Sequence, residues 1–396
     1  MSSAVVLRGN VIGSESGSIA DGVVVAEGAL ITWVGPAADY PGALPVATDQ
    51  LILPGLIDVH SHGAAGAGFP NADSGGASRA AAHHREHGTT GLLGSLVSAQ
   101  PADLLRQAKI LAELVEDGQL LGIHLEGPFI NCARCGAQDP ASIVPGNPDL
   151  LEEICDAARG TVRSMTLAPE TAHFTELLTI MRRRGIVPSL GHTDCDASTM
   201  RGRIATASTG PLAGPLSATH LFNGMPPMHH RAPGPVAACL AGAARGEMVV
   251  ELIADGVHLA PETVSMVFDT VGADQIALVS DSMAAAGMSD GDYRLGPLAV
   301  RVEGGVARLA TADGSEGAIA GGTARLLDVV RSTVFEANVP LADAVTAATR
   351  TPARLLGLDA ERGTLAVGSR ADILVTDRSL HNPHVLLGGS SVARKE

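Results

Sequence analysis

The chain opens with short apolar runs broken by Gly and Asp. Val5-Val6-Leu7, Gly22-Val23-Val24-Val25 and Ala29-Leu30-Ile31-Thr32-Trp33-Val34-Gly35 have the length and flanks of strands. The far end repeats the pattern in Gly363-Thr364-Leu365 and Ala371-Asp372-Ile373-Leu374-Val375-Thr376-Asp377. Two β-rich ends can meet in space, so residues 1–53 and 360–396 are assigned to one small β-sandwich domain. Residues 54–359 alternate instead. Gly91-Leu92-Leu93-Gly94-Ser95-Leu96 precedes a helical stretch near 101–117. Leu121-Gly122-Ile123-His124-Leu125, Ile186-Val187-Pro188-Ser189-Leu190, Val249-Val250-Glu251-Leu252-Ile253 and Ile276-Ala277-Leu278-Val279-Ser280 continue the series. Strand-then-helix alternation predicts βα units around a parallel sheet. Alternation alone leaves a closed barrel and an open doubly wound sheet both possible.

The placement of polar residues favours the barrel. The run Leu51-Ile52-Leu53-Pro54-Gly55-Leu56-Ile57 leads into Val59-His60-Ser61-His62. Residues two apart in a strand share a side, so His60 and His62 can aim at one metal ion. His124-Leu125-Glu126-Gly127-Pro128, Leu190-Gly191-His192-Thr193-Asp194, Thr219-His220-Leu221-Phe222-Asn223 and Val279-Ser280-Asp281-Ser282 follow. Each puts a ligand-type residue at the C-terminal end of a predicted strand, where barrel enzymes carry their sites. A single His of this kind is more often surface or hydrogen-bonded core, but five such strand ends in one chain argue for a metal site. Imidazole and carboxylate ligands suit zinc or another divalent first-row metal. Asp281 could be a helix N-cap before the Ala-rich run that follows it. A metal-using amide hydrolase also needs a carboxylate there, to take a proton from water and pass it to the leaving nitrogen. His83, His84 and His87 read as solvated or core-edge residues of a helix, His229 and His230 lie in a Pro-rich loop, and Cys132-Ala133-Arg134-Cys135 reads as an incidental loop pair.

Composition narrows the rest. A length of 396 residues fits one barrel of roughly 250 residues plus a companion domain. Hydrophobic residues are 45% and aromatic residues only 2%, so a large core must be built from Ala, Val, Leu and Ile. A formal charge of -15 argues against nucleic-acid binding, which needs a basic surface. It leaves room for a small anionic substrate held by one or two Arg residues. No apolar run is long enough for a membrane span, and Met1–Gly9 lacks the features of a signal peptide. Five scattered cysteines suggest a reducing, cytoplasmic setting.

Pro54-Gly55-Leu56-Ile57-Asp58-Val59-His60-Ser61-His62-Gly63 resembles the first-strand signature of the amidohydrolase superfamily. His124-Leu125-Glu126-Gly127-Pro128-Phe129, Gly191-His192-Thr193 and His220-Leu221-Phe222-Asn223-Gly224-Met225-Pro226-Pro227 are similar to the N-acetylglucosamine-6-phosphate deacetylase family. So are Ala254-Asp255-Gly256-Val257-His258, Ser280-Asp281-Ser282-Met283-Ala284-Ala285-Ala286-Gly287 and Ile319-Ala320-Gly321-Gly322, in the family's order along nearly the whole chain. The resemblance implies a (β/α)8 TIM-type barrel that removes the acetyl group from a phosphorylated N-acetyl amino sugar. It implies Glu126, His192 and His220 as ligands of the principal metal, and Asp281 as the catalytic acid/base. His60 and His62 make a second metal possible, with Glu126 shared. Zinc is the expected ion, with iron, cobalt or manganese as alternatives. Ala137, Gln138, Asn223, Gly224, His258, Ile319, Ala320 and Gly321 are implied around the substrate. Gln138 stands where many members of the family have a His that touches the acetyl carbonyl. Arg231 is implied to grip the phosphate from a neighbouring subunit, hence a homodimer. A related amidohydrolase acting on N-acetylgalactosamine 6-phosphate, and a non-catalytic barrel scaffold, are the alternatives.

Overall fold

The computed structural model describes residues 4–311 and 315–393. Its centre is an eight-stranded parallel sheet: β1 Leu56–Ser61, β2 Thr89–Val97, β3 Gly122–Glu126, β4 Val162–Leu167, β5 Val187–Leu190, β6 Ser217–Ala218, β7 Val249–Leu252 and β8 Ile276–Leu278. Neighbours in chain order pair in parallel from β1 to β8. The β1–β8 seam is bridged just past the strand ends. The Asp281 N–H donates to the His60 carbonyl at 2.9 Å, and the His62 N–H to the Ser282 carbonyl at 2.7 Å. Lower in the seam, the buried Asp58 carboxylate accepts from the Ser280 hydroxyl at 2.6 Å and from the Ser280 N–H at 3.3 Å. Burial outweighs these bonds and pushes the Asp58 carboxyl up to about 6. The barrel reading is thus correct and the open-sheet alternative is excluded.

A helix follows each strand: α1 Ser74–Glu86, α2 Pro101–Glu116, α3 Pro148–Ala157, α4 Phe174–Arg184, α5 Ala197–Ser208, α6 Gly234–Ala244, α7 Pro261–Val271 and α8 Leu326–Phe335. Local sequence sets their starts. Asp73, Asn147 and Asp196 accept from the N–H groups of Gly76, Leu150 and Thr199. Proline at the first turn fixes φ for α2, α3 and α7. No helix among the described residues is long and apolar enough to cross a membrane.

Both chain ends enter one seven-stranded sheet. Leu51–Pro54 lies between Val5–Ser14 and Ile373–Thr376, pairing in parallel with the first and antiparallel with the second. Val11, Val24, Ile52, Leu365 and Ile373 pack in its core. An element that the sequence pattern did not reveal follows β8. Gly291–Leu295, Leu298–Glu303 and Val306–Leu309 form an antiparallel meander. It buries Leu295, Val300 and Val302 against Val97, Met283 and Ala320.

Inside the barrel the two-residue period of the strands builds layers. Leu93 of β2, Val187 of β5 and Val249 of β7 belong to one apolar cluster with Ile57. Two residues further along the same strands stand Ser95, Ser189 and Glu251, all buried and polar. The lower layer supplies packing and the upper one supplies hydrogen bonds to the site. Leu93→Ala, at a side chain with 0% exposure, is therefore expected to destabilise the chain by about 2–5 kcal/mol in denaturant unfolding. A loss below 1 kcal/mol would mean that the apolar layer can collapse around the gap.

Candidate metal centre and substrate cavity

Six ligand-type side chains converge above the polar layer. His60, His62 and Asp281 form one buried group; Glu126, His192 and His220 form another. They come from β1, from the end of β3 and from turns after β5, β6 and β8. Three sit in left-handed backbone, with φ of 46° at His192, 24° at His220 and 44° at Asp281. Non-glycine residues there cost about 1–3 kcal/mol each, and the surrounding fold must hold them. No helix starts at Asp281, so the N-cap reading of that residue fails; the chain turns there instead.

The ring nitrogens face one another at close range. His60 Nε2 lies 3.2 Å from His62 Nε2, and His192 Nε2 lies 3.1 Å from His220 Nε2. Glu126 Oε1 is 2.9 Å from His192 Nε2 and 3.0 Å from His220 Nε2, while Oε2 is 3.2 Å from His62 Nε2. Asp281 Oδ1 is 3.4 Å from His60 Nε2 and 3.2 Å from His62 Nε2. Ligands of a tetrahedral zinc ion are spaced by about 3.3 Å, given zinc–nitrogen bonds near 2.05 Å. The residues therefore fit a divalent ion in each group, with one oxygen of Glu126 facing each.

Groups behind the ligands set their tautomers. His60 Nδ1 donates to Glu251 Oε2 at 3.2 Å, His62 Nδ1 to the Ser95 carbonyl at 3.3 Å, and His192 Nδ1 to the Arg134 carbonyl at 2.7 Å. In the neutral ring each of these bonds leaves Nε2 bare for a metal. His220 Nδ1 has no such partner among the described residues. Gly224 is needed here: a Cβ would come within 2.9 Å of His192 Nδ1, and φ is 61°. Burial opposes charge throughout the cluster, yet opposite charges win. Glu126 falls well below the usual carboxylate range beside His192, and Asp281 is lowered by His60 and His62. His62 rises to about 10 and His220 to about 9 as their hydrogen bonds to Glu126 and the neighbouring carboxylates overcome burial.

A cavity of about 230 Å³ opens over the cluster. His62, Glu126, His192, His220 and Asp281 form its floor; Ala137, Gln138, Asn223, Gly224, His258, Ile319 and Gly321 line it too. His60 lies beneath with 0% exposure, and Ala320 is turned into the packing against the meander. His258 Nδ1 pairs with Asp255 Oδ2 at 2.8 Å, which leaves Nε2 for a ligand. Asp255 is held below its usual range; burial would raise it, but the bond to His258 prevails. The Gln138 amide N–H donates to Glu126 Oε2, and its oxygen accepts from the Ser98 N–H at 2.6 Å. Arg231 is not at this cavity. It is exposed, with Nη1 2.8 Å from His230 Nε2.

The sequence reading left several supporting residues without a role. Ser95, Glu251 and Asp255 position ring nitrogens, and Leu295 of the meander lines the cavity. A polar residue two positions after an apolar interior residue was the available signal for Ser95 and Glu251. His84, read as solvated or core-edge, is fully buried, and its Nε2 meets the Ser61 hydroxyl at 3.2 Å and the Gly63 carbonyl at 3.2 Å. Its low value, about 4, follows from that burial. All five cysteines are free thiols.

Comparison with known proteins places the chain in a family. The Amidohydrolase family model matches residues 51–392. N-acetylglucosamine-6-phosphate deacetylase of Bacillus subtilis (strain 168) is 33% identical over 347 residues, covering 86% of this chain and 84% of that one. N-acetylgalactosamine-6-phosphate deacetylase of Escherichia coli O157:H7 is 30% identical over 375 residues, covering 94% and 93%. A solved variant of N-acetyl-D-glucosamine-6-phosphate deacetylase from Mycobacterium smegmatis, in complex with N-acetyl-D-glucosamine-6-phosphate, superposes with a TM-score of 0.91 at 37% identity, covering 99% and 100%. The chain belongs to the amidohydrolase family.

Proposed function

We propose that this protein hydrolyses the N-acetyl group of N-acetylglucosamine 6-phosphate, giving glucosamine 6-phosphate and acetate. The observation that carries the reading is Asp281 Oδ1 beside the Nε2 atoms of His60 and His62, at the floor of a cavity of small-molecule size. His60, His62, Glu126, His192 and His220 would hold one or two divalent ions, for which zinc suits the nitrogen and oxygen donors. A bound ion supplies water of lowered pKa and polarises the amide carbonyl. Asp281 takes the proton from the attacking water and delivers it to the departing sugar nitrogen. Its histidine neighbours hold Asp281 low, so it is ionised before the water attacks. His258, oriented by Asp255, offers Nε2 to the substrate. Gln138 spends one amide hydrogen on Glu126 and keeps the other for the acetyl oxygen. Asn223, Gly224, Ala137 and the stretch Ile319–Gly321 shape the sugar pocket.

Arg231 points away from its own cavity, and we assign it to the phosphate of a neighbouring subunit's substrate. A guanidinium fork matches two phosphate oxygens. The relative from Escherichia coli keeps N-acetylgalactosamine 6-phosphate as a second reading. Free thiols and the lack of a membrane-crossing helix among the described residues support a cytoplasmic setting.

Acetate release from the two sugar phosphates tests the assignment. Asp281→Asn should lower kcat by roughly 10²–10⁴. Arg231→Ala should act mainly through KM. Mixing the two variants under conditions that exchange subunits should restore activity, since one site then combines Asp281 with the partner's Arg231. No recovery would place Arg231 in its own subunit's site or outside the reaction. A zinc-loaded wild type that releases acetate from neither sugar would overturn the substrate reading.

Metal binding should release protons at pH 7. His62 and His220 are raised to about 10 and about 9 in the metal-free chain, so both carry a proton that a metal must displace. Affinity then falls as pH falls below about 10, and more steeply below about 9. Zinc titration by calorimetry in buffers of different ionisation enthalpy should show buffer-dependent heats. Equal heats would mean that the ligands are already deprotonated.

A further inference from the structure

Beneath the ligands, a hydrogen-bond chain crosses the barrel interior through side chains that have no role in the chemistry above. Ser95 Oγ lies 2.9 Å from His124 Nδ1, and His124 Nε2 lies 2.9 Å from Thr166 Oγ1. Thr166 Oγ1 is 2.8 Å from Thr219 Oγ1, which is 2.6 Å from Ser189 Oγ. Ser189 Oγ reaches Glu251 Oε1 at 3.2 Å. The other oxygen of Glu251 accepts from His60 Nδ1 at 3.2 Å and from the His220 backbone N–H at 3.3 Å. Every member is buried.

Each hydroxyl has one proton, and a carboxylate has none to give. Ser189 must therefore donate to Glu251. Its proton is then spent, so Thr219 donates to Ser189, and Thr166 to Thr219. His124 must donate to Thr166 through Nε2–H. As a neutral ring it keeps Nδ1 bare, and there it accepts the Ser95 proton. One buried carboxylate thus dictates the direction of every bond back to β2.

We propose that Glu251 is the positioning residue of this centre. It fixes the His60 ring from the first ligand group and the His220 backbone from the second, and it polarises the chain that locks His124 as the Nε2–H tautomer. The proposal rests on the metal-holding reading of the two ligand groups and not on the identity of the sugar. A Glu251→Gln side chain can keep its oxygen toward the two donors at His60 and His220 only by turning its amide N–H toward Ser189. That removes the charge opposite His60 and turns the Ser189 proton toward Thr219, which reverses the chain and leaves His124 to donate to Ser95 through Nδ1–H.

The test uses zinc-loaded protein with ring-¹⁵N histidine, His124 being identified by the signal missing from His124→Gln. Wild type should show His124 as Nε2–H alone. Glu251→Gln should add a population with Nδ1–H, and its zinc affinity, by competition with a chromophoric chelator, should fall roughly 10–100-fold. Nδ1–H in the wild type, or an unchanged tautomer in Glu251→Gln, overturns the polarised chain. Wild-type zinc affinity in Glu251→Gln overturns the positioning role. If Glu251→Gln does not fold, Glu251→Asp carries the test: it withdraws the carboxylate by one methylene, lowers zinc affinity and leaves His124 as Nε2–H, and wild-type affinity there would equally overturn the role. A zinc-loaded wild type inactive on the sugar phosphate would sink the substrate reading while leaving these outcomes to stand or fall alone.

Discussion

Burying charge in the mouth of a barrel is the constraint on which the rest of this structure depends. Glu126, Asp281 and Glu251 are carboxylates at 5%, 8% and 2% exposure, a placement that is costly unless each oxygen finds a donor or a cation. The barrel answers by spreading the load over its strands. Glu126 faces four histidines, Asp281 faces two, and Glu251 gathers a ring N–H, a backbone N–H and a hydroxyl. Each carboxylate shares its partners with the others, so the cluster is held as a unit.

That unit needs backbone the strands alone cannot supply. A strand end aims a side chain into the barrel, but three ligands must also turn back over it. His192, His220 and Asp281 do so in left-handed conformations that ordinary residues avoid. The turns persist because the seam bonds at His60 and His62, and the close seat of Gly224 against His192, leave little room to relax. Local strain is balanced by packing elsewhere, in the apolar layer around Leu93, Val187 and Val249 and in the helices outside it.

The cavity is built by additions to the barrel. The meander after β8 brings Leu295 to its wall, and the loop after β3 brings Ala137 and Gln138. Of the lining residues, Gln138 and Gly224 also touch the floor, at Glu126 and His192, while Ile319 and Leu295 lie on the wall. A common chemistry can therefore be kept while the shape of the sugar pocket changes, which fits relatives that act on epimeric sugars.

The sequence by itself determined the barrel, the meeting of the two β-rich ends and the set of ligand-type residues. These were legible because they rest on local periodicity: apolar runs of strand length, two-residue spacing in His60-Ser61-His62, and a polar residue at one strand end after another. The family resemblance already implied a shared Glu126; only the tertiary structure decided that Asp281 groups with His60 and His62 and sits in left-handed backbone, not at a helix cap. It also decided that His84 is core, that Gln138 is tied to Glu126, and that Glu251, Ser95 and Asp255 orient the rings. The meander escaped because its short strands carry weak alternation beside glycines. The physical reason is the same in each case. Direction and hydrogen-bond partner are set by atoms brought together from distant strands, and no window of neighbouring residues contains both partners.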